Sequence, residues 1–116
     1  MSLLTLTTSH EQEGVRVALT GELDLSSALV FDDELRRIED NGDPDTLVLD
    51  LHALKFLDST GLRLILSAHA RAARAGRRLL IVMGSAAVKR IFSLAGVTDR
   101  LDIVEEDAPV DGASAR

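Results

Sequence analysis

Apolar and polar residues alternate with a period of two in three places along the chain. Leu4 and Leu6 alternate with Thr5 and Thr7, and Val15, Val17 and Leu19 alternate with Arg16, Ala18 and Thr20. Over 46–51, Leu47, Leu49 and Leu51 alternate with Val48 and Asp50. This period belongs to strands, and its one-sidedness predicts a sheet covered mainly on one face. Residues 79–83 are uniformly apolar, as in a central strand, and 101–104 read as a short final strand. The connector His10-Glu11-Gln12-Glu13-Gly14 suits a hairpin, with Gly14 expected to supply a positive φ.

Between these strands the spacing changes to three and four. Ala28, Phe31, Leu35 and Ile38 form one stripe, with Asp32, Asp33, Arg36 and Arg37 opposite. Leu62, Ile65, Leu66, His69, Ala70 and Ala73 form a second, on a helix over 62–75. Val88, Ile91, Phe92 and Ala95 form a third. Asn41-Gly42, Gly76 and Gly96 stand where helices end, and Asp43-Pro44-Asp45 reads as a turn. Strand–helix–strand units imply right-handed crossovers between parallel neighbours. The expected fold is α/β: a single domain with a mixed, mostly parallel sheet of about five strands and amphipathic helices mainly on one face. The domain is expected to span 1–107. Past the acidic Glu105-Glu106-Asp107, residues 108–116 read as a disordered tail.

A length of 116 residues suits one domain with a genuine core, and 46% hydrophobic residues is a globular composition. The formal net charge of −6 argues against nucleic acid and anionic membrane surfaces as partners. No apolar run approaches the roughly 20 residues that span a bilayer. The start Met1-Ser2-Leu3-Leu4 lacks the basic and long apolar stretches of a signal peptide. Without cysteine there is no disulfide, thiolate nucleophile or sulfur metal site. A cytoplasmic protein is the simplest reading. Three Phe with no Trp or Tyr leave little for stacking platforms.

Candidate chemistry gathers in Leu57-Asp58-Ser59-Thr60-Gly61-Leu62, where strand-like sequence hands over to helix-like sequence. The first N–H groups of a helix lack internal partners and favour anions. Ser59 is then a phosphate acceptor, a nucleophile or, with Asp58, merely a cap. A second acidic loop, Gly21-Glu22-Leu23-Asp24, leaves the preceding strand. If the two strands are adjacent, Asp24 approaches Asp58 and Ser59 at the end of the sheet where open α/β folds place function. Asp24 and Ser26 are equally candidates to cap the first helix.

A Ser nucleophile needs a His within hydrogen-bond reach. His10 belongs to the hairpin region, and His69 lies about 15 Å down the second helix, leaving only His52 as a plausible neighbour. No Gly-x-Ser-x-Gly surrounds Ser59, so a hydrolase is a weak reading. The three His have no metal-ligand spacing, and neither metal nor cofactor is expected. Lys89-Arg90 reads as a solvated face, Glu39 to Asp43 as a soluble loop, and Arg71 and Arg74 as complements to a helix dipole.

Gly21-Glu22-Leu23-Asp24, the turn from Phe56 to Leu62, and Ala87-Val88-Lys89-Arg90-Ile91-Phe92 with Gly96 resemble the STAS family. Within it they resemble the bacterial anti-sigma-factor antagonists, over nearly the whole chain. The resemblance implies that Ser59 is phosphorylated by a partner that is both anti-sigma factor and ATP-dependent serine kinase. It implies that the dephosphorylated form binds that partner and frees the sigma factor, and that a phosphatase resets phosphorylated Ser59. Asp24, Asp58, Ser59 and Thr60 would form the partner-binding set, in a protein that is not an enzyme. Arg63 stands where many members carry Gly, a departure that bears on partner choice. The alternatives are a STAS adaptor subunit of a transporter or larger complex, and, from another class, an enzyme acting through Ser59.

Overall fold

The computed structural model describes residues 3–12, 14–42 and 44–104. Five strands and three helices follow one another in the expected order. They are β1 (Leu4–Glu11), β2 (Gly14–Leu23), α1 (Ala28–Asp40), β3 (Thr46–Leu57), α2 (Ser59–Arg74), β4 (Arg78–Val82), α3 (Ala86–Leu94) and β5 (Asp102–Val104). A short 3-10 turn, Thr98–Arg100, precedes β5. The sheet order is β1-β2-β3-β4-β5, antiparallel between β1 and β2 and parallel elsewhere.

This order explains the helix placement. The parallel strands are laid down in one direction across the sheet, so right-handed crossovers put every connecting helix on the same side. One hydrophobic cluster accordingly joins Val15, Val17, Leu19, Leu47, Leu49, Leu79 and Ile81 of the sheet to all three helices. α1 contributes Phe31, Leu35 and Ile38, α2 contributes Leu62, Ile65, Ala68 and Ala72, and α3 contributes Val88 and Phe92. On the other face, Arg16 Nη1 pairs with Asp50 Oδ2 at 2.7 Å and Arg16 Nε with Glu11 Oε2 at 3.2 Å. That face is not wholly polar, because Val48 and Val82 are buried as well.

Three local expectations change. β3 does not stop at Leu51 but runs to Leu57. Its pairing with β2 slips twice, from Ala18↔Asp50 to Thr20↔Ala53 and from Gly21↔Leu54 to Glu22↔Phe56. Each slip inserts an extra β3 residue, and such bulges break the two-residue alternation. Leu51, Leu54 and Leu57 are therefore all buried at a spacing of three, which reads in sequence as a connector.

Gly14 is not among the positive-φ glycines, which include Gly42, Gly76 and Gly96 at the helix ends. It is needed for space: a Cβ there would lie 2.0 Å from the Thr46 carbonyl oxygen. The buried stripe of α2 is Gly61, Leu62, Ile65, Ala68 and Ala72, with Leu66, His69 and Ala70 half-buried and Ala73 exposed. α2 carries apolar residues on most of its circumference, so spacing alone leaves its rotation open. The expected tail, 108–116, and residues 105–107 lie outside the described residues.

Candidate functional site

β2 and β3 are neighbours, and their last residues, Leu23 and Leu57, are register partners. Asp24 and Asp58 are the next residues of each chain segment, so the two acidic turns leave the sheet side by side. The Asp58 N–H donates to the Leu23 carbonyl at 3.2 Å, extending the pairing to the point where α2 begins.

Asp58 is the N-cap of α2. Its Oδ1 accepts the Gly61 N–H at 2.9 Å, which satisfies one of the orphan donors of the first turn. Its Oδ2 accepts the Leu25 N–H at 3.1 Å, across 33 residues of sequence. One carboxylate thus starts α2 and holds the β2–α1 loop. Ser59 is the first helical residue and is exposed, and Thr60 behind it is half-buried. The Ser59 hydroxyl makes no side-chain hydrogen bond among the described residues.

The other turn has its own internal bonding. Asp24 Oδ1 accepts from the Ser26 N–H at 3.0 Å, the Ser27 N–H at 3.3 Å and the Ser26 hydroxyl at 2.8 Å. The buried Ser27 occupies the N-cap position of α1, yet its hydroxyl makes no cap bond and donates back to the Glu22 carbonyl at 2.9 Å. Neither Asp24 nor Ser26 is therefore the cap residue. Asp24 closes the turn ahead of the helix by gathering its N–H groups, as short acidic side chains do.

Gly61 sets how closely α2 approaches the sheet. A Cβ on it would lie 2.8 Å from Leu23 Cγ and Leu57 Cδ1 and 2.9 Å from the Leu23 carbonyl oxygen. Apolar residues are also displayed at this end of the sheet. Leu25 and Leu29 are each 75% exposed and Phe56 is 48% exposed. Leu25 follows β2, Leu29 lies in the first turn of α1, and Phe56 is two residues before Asp58. Leu25, Leu29 and Gly61 are not among the residues that the sequence pattern assigns to the site. The available signals were an apolar residue off the α1 stripe and a glycine inside a helix, where it costs about 1 kcal/mol against Ala.

The histidines stay apart from Ser59. His10 pairs with Val15, at the opposite end of β2 from Leu23. His52 is exposed on β3, about 15 Å back along the strand. His69 is half-buried on α2, ten residues on, about 15 Å away. Among the described residues no three His, Asp or Glu gather as a metal site requires. Among them, no helix is long and apolar enough to cross a membrane.

Residues 6–105 match the family described as Mlab, STAS domain. The match covers most of the chain, and the chain belongs to the STAS-domain family. The fold is shared with an anti-sigma factor antagonist from Mycobacterium paratuberculosis, with 22% identity over 96% of this chain and 91% of that one and a TM-score of 0.82. It is shared with the anti-sigma factor antagonist SpoIIAA in its unphosphorylated form, at 19% identity, 94% and 92% coverage and a TM-score of 0.78. The Bacillus cell fate determinant SpoIIAA in its phosphorylated form matches at 18% identity, 94% and 96% coverage and a TM-score of 0.72.

Proposed function

We propose that this chain is an anti-sigma-factor antagonist switched by phosphorylation of Ser59. The dephosphorylated form binds an anti-sigma factor that is also a serine kinase, and a sigma factor is released. Phosphorylation of Ser59 by that kinase ends the complex, and a phosphatase restores it. The observation that carries the reading is an exposed hydroxyl at the first position of α2, without a side-chain hydrogen bond among the described residues, beside the Asp24–Leu25 turn. The sharing of this fold with SpoIIAA, described in both phosphorylated and unphosphorylated forms, supports it.

The physics of such a switch is local. Phosphate adds roughly −1.5 to −2 charge and three acceptor oxygens. Placed at a helix N-terminus, it needs no refolding to be accommodated. A partner fitted to Ser59 with apolar contacts to Leu25 and Phe56 meets bulk and charge it has to desolvate, and Asp58 already makes the place negative. A loss of about 3 kcal/mol at the interface lowers affinity about 150-fold. In this reading Ser59 accepts a group and catalyses nothing, in keeping with histidines that stand too far off to serve as its base.

The test is to express the candidate anti-sigma kinases of the same genome, incubate each with the chain and ATP, and map the phosphate. Phosphoserine at Ser59, together with loss of binding in Ser59→Asp and retained binding in Ser59→Ala, is expected. Phosphate confined to Thr60 or Ser26, or equal affinities of the two variants, would overturn the switch. The family description, Mlab, STAS domain, names no antagonist, which leaves one second reading: a STAS adaptor subunit of a transporter or larger complex. An adaptor would show no kinase-dependent phosphate at Ser59 and unchanged assembly in Ser59→Asp.

A further inference from the structure

We infer that Asp58 acts in partner recognition as a positioning residue: its carboxylate latches the Leu25 turn to the start of the Ser59 helix. The inference rests on the antagonist reading for its partner and on the geometry for its mechanism. The two carboxylate oxygens have separate duties. Oδ1 takes the Gly61 N–H within α2, and Oδ2 takes the Leu25 N–H from the other turn. The first duty is ordinary capping and is met by Asp, Asn or Ser alike. The second is not, because it needs a second acceptor on the same side chain.

What the latch holds is informative. Leu25 is 75% exposed, so its amide is fixed while its side chain is displayed to solvent. Within the rest of the turn, Asp24 Oδ1 gathers the Ser26 and Ser27 N–H groups, and the Ser27 hydroxyl donates to the Glu22 carbonyl of β2. Among the described residues the Asp58–Leu25 bond is the side-chain hydrogen bond that joins this turn to α2. It sets where Leu25 and Asp24 stand relative to the Ser59 hydroxyl. A partner reading both turns at once meets a prearranged surface, and loses less freedom on binding than with a loose loop.

Asparagine at 58 separates the duties. Its amide oxygen keeps the cap, and its NH2 then faces the Leu25 N–H, donor against donor. Serine at 58 keeps the cap with a hydroxyl too short to serve both amides. The experiment compares wild type, Asp58→Asn and Asp58→Ser by amide NMR and hydrogen exchange. It then measures affinity for, and phosphorylation by, whichever kinase modifies Ser59 in the assay above. Both variants are expected to keep the Gly61 amide protected. The Leu25 amide should exchange about tenfold faster, the loss of one hydrogen bond to a charged group. Partner affinity should fall by about tenfold with Ser59 still present.

A Leu25 amide that exchanges equally in all three proteins overturns the latch. Faster exchange at Leu25 with unchanged affinity and phosphorylation overturns its role in recognition. If no kinase modifies wild-type Ser59, the antagonist reading fails. The recognition role falls with it, and the exchange data still decide whether the latch exists.

Discussion

The carboxylate of Asp58 takes the Gly61 N–H, so the hydroxyl of Ser59 has no part in starting α2. Ser59→Ala is therefore expected to leave stability unchanged within a few tenths of a kcal/mol, as exposed substitutions do. Asp58→Ala should lose about 1–2 kcal/mol, the usual range for a cap. Urea denaturation followed by far-UV circular dichroism compares them. A loss in Ser59→Ala equal to that in Asp58→Ala would move the cap to the serine. Asp24 poses a different question, because the N–H groups and hydroxyls of Ser26 and Ser27 that close its turn all meet it at Oδ1. Asn retains such an oxygen and removes the charge. Asp24→Asn should keep its Tm while phosphorylation of Ser59 slows about five- to tenfold, the scale of one charged contact. A normal rate with a normal Tm would reduce Asp24 to a turn residue.

At the scale of elements, the seat of α2 on the sheet depends on Gly61. Alanine there gains about 1 kcal/mol of helix propensity. It also forces a methyl to within 2.8 Å of Leu23 and Leu57 and 2.9 Å of a backbone oxygen, which cannot rotate away. Overpacking of this kind costs about 1–3 kcal/mol. Gly61→Ala is expected to be destabilising on balance and to shift the NMR signals of Leu23, Leu25 and Ser59. A gain in Tm would show that α2 can withdraw freely. At the other side of the domain α1 is tied to β1 through Glu34, whose Oε2 accepts the Thr8 hydroxyl at 2.6 Å. Arg37 donates to the same carboxylate from Nε at 2.9 Å and Nη2 at 2.6 Å. The Arg37 hydrogen bonds above all hold the Glu34 carboxyl below the ordinary 4.5, against the opposing pull of burial, with help from Thr8. The native pKa thus lies below the unfolded one. The ionised carboxylate contributes stability above the ordinary value, and that contribution is lost as pH falls through the lowered one. The stability gap between wild type and Glu34→Gln should therefore be full above the ordinary 4.5 and shrink as pH falls below it. A gap that does not change with pH would mean that the tie acts without its charge.

Across the whole molecule, β2, β3 and β4 and all three helices share one core, and it has no separable half. Leu49 sits at its centre, in register with Val17 on one side and Ile81 on the other, all fully buried. Leu49→Ala should cost about 2–5 kcal/mol, a large share of the 5–15 kcal/mol typical of a domain. Its unfolding should remain a single transition, with far-UV circular dichroism and methyl NMR signals lost together. Two separated transitions would mean that one layer of helix and sheet survives alone.

Local periodicity was enough to read the element order, the α1 stripe of Ala28, Phe31, Leu35 and Ile38, and the helix ends at Gly42, Gly76 and Gly96. Each is a property of residues within one or two turns of each other, so the chain encodes it where it stands. The simple order of strands then follows from crossover handedness, and with it the single covered face. The placement of Asp24 beside Asp58 was legible on the same grounds. Other features were decided only by tertiary structure. β3 reaches Leu57 because two bulges fit it to β2, and bulges erase the alternation by which a strand is recognised. Gly14 is glycine because the Thr46 backbone crowds it, a contact between separate strands. Whether Asp58 or Ser59 caps α2 turned on where one carboxylate points. That carboxylate points to Leu25 as well, 33 residues away in sequence. No local pattern records such a bond, because it exists only once the sheet has set the ends of β2 and β3 side by side.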